Sequence, residues 1–193
     1  MPKAALIGLL LLGGCASFPV IHGRVADDVK VRMFGDARLE QVGGEFEVKC
    51  EGSLGDIVML YFLRQGYYPQ IRPVKTPEGK LEEKSGPWKK LPDEKNGVWA
   101  GVVCTFGAGG RHAHVFFFEE FKKNQSIPVE LDGEMSAIQT DENGVFMLLL
   151  PPGSHKIKKA WAPELPGDTE GIVDIQAATT TIFDVCKIST LVD

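Results

Sequence analysis

The stretch from Thr140 to Ile157, TDENGVFMLLLPPGSHKI, carries the pattern on which the fold turns. Asp141-Glu142-Asn143-Gly144 reads as a four-residue turn in which Asn or Gly takes a positive φ. It launches a strand whose alternate residues Phe146, Leu148 and Leu150 face a core. Pro151-Pro152-Gly153 then ends the strand and turns the chain. The pattern recurs at an offset of one hundred residues: Gly44 falls on Gly144, Phe46 on Phe146, Val48 on Leu148, Cys50 on Leu150, Ile57 on Ile157 and Tyr61 on Trp161. Matches that alternate through a strand and continue across the next turn are what a repeated pleated core face requires. Towards the N-terminus, Gly23-Arg24-Val25 matches Gly101-Val102-Val103 at a shorter offset, so the second copy is expected to carry a longer insertion between its early strands.

Strand signals extend outward from this repeat in both directions. They cover Val20–Val25, Val29–Phe34, Glu45–Glu51, Ile57–Leu63 and Gln70–Val74, then Trp99–Phe106, His112–Phe118, Ile127–Leu131, Val145–Leu150, His155–Ala160, Gly171–Ile175 and Thr180–Ile188. Between the two sets, residues 75–97 hold eleven charged residues among twenty-three and three prolines, the composition of a linker or long surface loop. The 193 residues are 44% apolar, enough for a real core, and 22 glycines with 12 prolines punctuate the chain too often for an all-helical protein. A net charge of -5 argues against nucleic acid as the main partner. The expected fold is all-β, a small module at 20–75, a linker or loop at 76–96 and a larger module at 97–193.

Thr140–Phe146 followed by Leu148-x-Leu150-Pro151-Pro152-Gly153-Ser154-His155-Lys156-Ile157 resembles carboxypeptidase regulatory-like domains, which are transthyretin-like (prealbumin-like) β-sandwiches. Ala113-His114-Val115-Phe116-Phe117 resembles their second strand, and Ile172 to Val185 their closing strands. The first half is similar through Gly44-x-Phe46-x-Val48 and Gly66-Tyr67-Tyr68. The resemblance implies tandem transthyretin-like modules and is nearly silent on function, because such folds serve many purposes. It implies no zinc site and no peptidase residues, since the resembled domain is an accessory one.

The N-terminus supplies an address. Lys3 precedes the apolar run Ala4–Leu12, which is of signal-peptide length and too short to span a bilayer. Leu12-Gly13-Gly14-Cys15 resembles a bacterial lipobox, which implies removal of residues 1–14 and lipidation of Cys15. Two or three acyl chains anchor stably, at about 0.8 kcal/mol per buried methylene. Ala16 and Ser17 follow in place of the aspartate that marks inner-membrane retention in such lipoproteins, which by resemblance favours the outer membrane. Residues 15–19 form a tether of about 17 Å at most, which sets the first module against the bilayer.

Once Cys15 carries lipid, Cys50, Cys104 and Cys186 remain in an oxidising compartment. Cys50 shares the apolar face of Phe46 and Val48 and reads as a buried thiol. Cys104 and Cys186, in the first and last strand signals of the second half, are the best candidates for a disulfide. His112-Ala113-His114 is the cluster with metal appeal, because residues two apart on a strand share a face. A similar His-x-His strand holds non-haem iron with two tyrosines in intradiol dioxygenases, so the enzyme alternative would use His112 and His114 with Tyr61 and Tyr67 or Tyr68. Those tyrosines lie in the other module, and ordinary strand histidines are the simpler reading. Ser154-His155 point to opposite faces and cannot form a nucleophile–base pair, and the Asp141-Glu142 turn lacks the alternating ligands of a calcium loop.

Two surface features bear on binding. His155-Lys156-x-Lys158-Lys159, with Lys89-Lys90, offers cations to anionic headgroups. Trp88, Trp99, Trp161 and Tyr67-Tyr68 offer a stacking platform for sugars or proteins. The expected function is that of a non-catalytic, lipid-anchored envelope protein, without a cofactor, that faces the periplasm or the surface. Its partner would be an envelope protein or a glycan, the latter being the carbohydrate-binding alternative.

Overall fold

The structure is a computed structural model that describes residues 19–35, 37–51, 57–77, 80–108, 116–158 and 170–189. Those residues form strands and turns without a helix. The strands are β1 (Val20–Arg24), β2 (Val29–Phe34), β3 (Ala37–Val42), β4 (Glu45–Cys50), β5 (Ile57–Arg64), β6 (Gln70–Lys75) and β7 (Lys80–Lys84) in the N-terminal half. The C-terminal half holds β8 (Gly97–Ala108), β9 (Phe116–Phe121), β10 (Ser126–Leu131), β11 (Glu134–Gln139), β12 (Val145–Leu150), β13 (Gly153–Lys158), β14 (Glu170–Ile175), β15 (Thr180–Ile182) and β16 (Val185–Ser189).

Each half is a β-sandwich. In the first, the sheet β3-β4-β1-β7 faces the sheet β2-β5-β6. In the second, β12-β8-β15, extended by β9 and β16 along the rest of β8, faces β11-β10-β13-β14. The repeat is visible in the pairings. β1 is antiparallel to β4 and parallel to β7, as β8 is antiparallel to β12 and parallel to β15 and β16. Gly23 lies opposite Phe46, and Gly101 opposite Phe146, so the two offsets read from the sequence meet in one register. The insertion between early strands in the second copy carries β9.

Both glycines answer the same need. A Cβ on Gly23 would lie 1.6 Å from the Glu83 carbonyl oxygen, and one on Gly101 would lie 2.6 Å from that of Phe183. Only a bare Cα admits the neighbouring chain there.

One strand breaks the symmetry. β3 pairs with β4, whereas its counterpart β11 pairs with β10 in the opposite sheet. Each sandwich therefore gives its third strand to a different layer.

Three apolar cores fill the spaces between the four sheets. Ile21, Phe46, Val48, Val58, Leu60 and Phe62 fill the first sandwich. Trp99, Val103, Phe146, Ile157 and Val173 fill the second, with Trp99 edge-on to Phe146 at 4.9 Å between centroids. Met59, Tyr61 and Ile71 meet Val98, Ala100, Val102, Cys104 and Val145 in a third core between the sandwiches. β5 (IVMLYFLR) and β8 are apolar on both faces for this reason, as fully covered strands are.

The expectation of a linker at 76–96 is corrected. Lys80–Lys84 is β7, in parallel register with β1, and Leu81 packs on the first core. Leu91 is buried in the third core. Glu82, Lys84, Lys89, Lys90, Asp93, Glu94 and Lys95 are exposed, while Glu83 turns in to meet Arg72 at 3.7 Å, so most of the described charge faces water and the composition reads as solvent-facing. Strands β3 and β11 gave no signal of their own, because edge strands bury few of their side chains. The closing signal Thr180–Ile188 is split by Phe183-Asp184 into β15 and β16.

Candidate binding face

The outer face of β3-β4-β1-β7 forms a groove of about 580 Å³ lined by His22, Arg24, Glu40, Glu45, Glu47 and Glu82, among others. Strand alternation brings them there: Ile21, Phe46, Val48 and Leu81 turn inward, and the residues between them turn out. The registers set Glu40 opposite Glu47, Glu47 opposite His22 and His22 opposite Glu82. One transverse row thus holds three carboxylates and an imidazole across four strands.

Cations temper the row. Lys49 Nζ lies 3.4 Å from Glu47 and 3.5 Å from Glu40, and these carboxylates hold its amine above the usual lysine range, the Glu47 hydrogen bond most of all. Arg24 pairs with Glu45 at 3.0 Å. The groove keeps an acidic, hydrogen-bond-accepting character with His22 near its middle. The row was not legible in the sequence, because two of its four strands, β3 and β7, had no recognised signal.

The expected site residues are placed as follows. Cys15 and the signal segment 1–14 lie outside the described residues, as do His112, His114, Lys159 and Trp161. Among the described residues, no three His, Cys, Asp or Glu side chains converge on a metal position. The backbone sets Cys104 directly opposite Cys186 on the parallel strands β8 and β16. Cys104 is fully buried and disulfide-bonded, while the Cys186 side chain lies outside those described. Cys50 is a buried free thiol, raised from its usual value by burial.

Of the residues expected to form an aromatic platform, one is removed from the surface and three are half-buried. Trp99 is fully buried, Tyr68 packs on the third core, and Trp88 packs on the first. Tyr67 stands edge-on to Trp88 at 6.0 Å, and the Arg64 guanidinium lies over the Tyr67 ring at 4.6 Å. Arg64 thus caps one face of the half-buried Tyr67 ring. Lys89 likewise lies over Tyr68 at 5.1 Å, and Lys90 pairs with Glu94.

The basic run around His155 separates into two parts. Lys156 and Lys158 are exposed, but His155 is buried. Its Nδ1 meets Asp132 Oδ2 at 2.7 Å and its Nε2 meets the Pro151 carbonyl oxygen at 2.9 Å. Two acceptors on one ring require both nitrogens to donate, so the pair favours imidazolium. The Pro151 carbonyl and then the Asp132 carboxylate hold His155 above its ordinary value, and His155 holds Asp132 below its own. Ser154 turns the other way and bonds to Asp174.

Asp141 caps the turn that opens β12, where Oδ1 accepts from the Asn143 and Val145 amides at 2.8 and 2.9 Å. Gly144, not Asn143, takes the positive φ.

A polar contact joins the sandwiches. Tyr61 donates its hydroxyl to Asp184 Oδ1 at 2.9 Å, and the Val102 amide donates to the same oxygen at 2.8 Å. Burial pushes the Asp184 carboxyl up against the opposing pull of these two donors, and burial then pushes the Tyr61 phenol far above its usual range.

Among the described residues, fold and surface together define an all-β protein of two stacked sandwiches with a groove on the outer face of β3-β4-β1-β7. No protein-family model matches the chain, and no curated protein matches it. Among solved structures it is similar to GBS52, the minor pilin of Streptococcus agalactiae, at 14% identity and a TM-score of 0.35, covering 79% of this chain and 71% of that one. It is also similar to the Bacillus anthracis TIE protein, at 16% identity and a TM-score of 0.31, covering 88% of this chain and 33% of that one. The match thus spans about a third of the Bacillus protein.

Proposed function

We propose that the protein is a non-catalytic, lipid-anchored component of a bacterial envelope with a structural or protein-binding role. The observation that carries this reading is the junction at the N-terminus. The lipobox-like Leu12-Gly13-Gly14-Cys15 is followed within five residues by β1, which lies inside the first sheet. A lipid at Cys15 would hold this first sandwich against the bilayer and leave the second pointing outward, joined to it by the third core. Ala16 and Ser17 favour the outer membrane.

The test is Cys15→Ser in the native host. Expected are retention of residues 1–14 and loss of the mass of a diacylglyceryl group from residue 15. A native chain that fractionates as soluble, or a native Cys15 that carries no lipid mass, overturns the anchor. Density separation of the two membranes decides between inner and outer.

A further inference from the structure

His155 joins three parts of the second sandwich. Its ring lies on the inward face of β13, only 9% exposed, with the apolar Val173 of β14 opposite. The β10–β11 turn brings Asp132 Oδ2 to Nδ1 at 2.7 Å, and the turn between β12 and β13 brings the Pro151 carbonyl oxygen to Nε2 at 2.9 Å. That second turn, Pro151-Pro152-Gly153, is exposed and carries the chain from the sheet of β12 into the sheet of β13.

Asp132 is the titratable side chain that meets the ring. Lys156 and Lys158 of β13, Glu130 of β10 and Asp174 of β14 have the outward parity of their strands, and Ser154 bonds to Asp174 on that side. Glu134 of β11 shares the inward parity across from Leu131 and is exposed. Asp132 is also held without the ring. Its Oδ1 accepts from the Lys156 amide and its own amide donates to the Lys156 carbonyl, each at 2.8 Å.

We propose that His155 is a proton-operated latch on the β12–β13 turn, closed when the ring is imidazolium and released when it is neutral. Imidazolium donates from both nitrogens and holds both acceptors, whereas the neutral ring keeps a single N–H. The Asp132 carboxylate takes that proton, because a charged acceptor makes the stronger bond. Nε2 then turns a lone pair on the Pro151 carbonyl at hydrogen-bond distance. Two acceptors in contact repel, so the carbonyl leaves the ring and bonds to water, which its exposed turn admits. The β10–β11 turn keeps its own bonds. The change is therefore local to the connection between the two sheets, and it stands whether or not Cys15 is lipidated.

Magnetic resonance on the full chain, grown with proline carrying carbon-13 at the carbonyl and nitrogen-15, tests the latch. Pro151-Pro152 is the one Pro-Pro pair among its 12 prolines, so Pro151 alone joins a labelled carbonyl to a labelled nitrogen. The Pro151 carbonyl resonance is expected to move upfield, as on loss of a hydrogen bond, with the same midpoint as the His155 ring. The neutral ring is expected to carry its proton on Nδ1. His155→Gln, which does not titrate, identifies the ring signals by their absence and is expected to hold the Pro151 resonance constant over the same pH range. A Pro151 resonance that stays fixed through the ring titration, a neutral ring protonated at Nε2, or a Pro151 resonance that still titrates in His155→Gln overturns the latch.

Discussion

At the scale of single residues, His155 shows how a surface motif becomes a structural one. In the sequence it heads a basic run. In the fold it ties the β10–β11 turn to β13, for Asp132 and Gly133 take positive φ there and the Asp132 carboxylate also accepts from the Lys156 amide. The raised His155 value stabilises the fold fully below pH 6.5 and loses that effect as pH rises through the folded value. The lowered Asp132 value adds stability above pH 3.8, which is lost as pH falls through its own folded value. The pair is therefore fully formed between about pH 4 and 6.5. Melting temperature is expected to be higher at pH 5.5 than at pH 8.5, and Asp132→Asn, which keeps the turn conformation and an acceptor for Lys156, should reduce that difference. Equal pH profiles for the two proteins would show that the pair does not contribute.

Among elements, β8 is the member on which the second sandwich depends. It pairs with β12, β9, β15 and β16, and its two faces serve two cores. The register that opposes Cys104 to Cys186 places a cross-link at the point where β16 closes the sheet, two residues beyond the Val102–Asp184 hydrogen bond. We propose that these two cysteines form the bridge that the strand order led us to expect. Non-reducing peptide mapping should recover a peptide pair joining Cys104 to Cys186, with Cys50 alkylated only after unfolding. Cys186→Ser should lower stability by about 2–4 kcal/mol, since the bridge constrains a long loop of the unfolded chain. Alkylation of Cys104 in the unreduced, unfolded native protein would remove the proposal.

Over the whole molecule, the third core turns two sandwiches into a four-layer stack. The first, at the size of a marginal domain, completes its burial against β8 and β12. Heating the full chain should give a single transition by circular dichroism and by tryptophan fluorescence. Tyr61→Phe, which leaves the Asp184 carboxyl with one donor fewer, should lower that transition by about 1–3 kcal/mol. Two separate transitions, with only the first moved by Tyr61→Phe, would show the sandwiches to be independent.

Legible in the residues alone were the strands that bury an alternating or continuous apolar face, the turn at Asp141–Gly144 and the repeat that matches Phe46 with Phe146 and Gly23 with Gly101; that each glycine lies opposite its phenylalanine came from the fold. Burial writes these features into residue type, so they are legible without a fold. The fold alone settles which sheet receives the third strand of each sandwich, that residues 80–84 close the first sheet, that Trp88 packs half-buried on the first core and that His155 is buried against Asp132. It also gathered His22, Glu40, Glu47 and Glu82 into one row. Edge strands and outward faces keep most of their side chains in water, where many residue types serve equally well, so their partners follow from the register of neighbouring strands and not from local pattern.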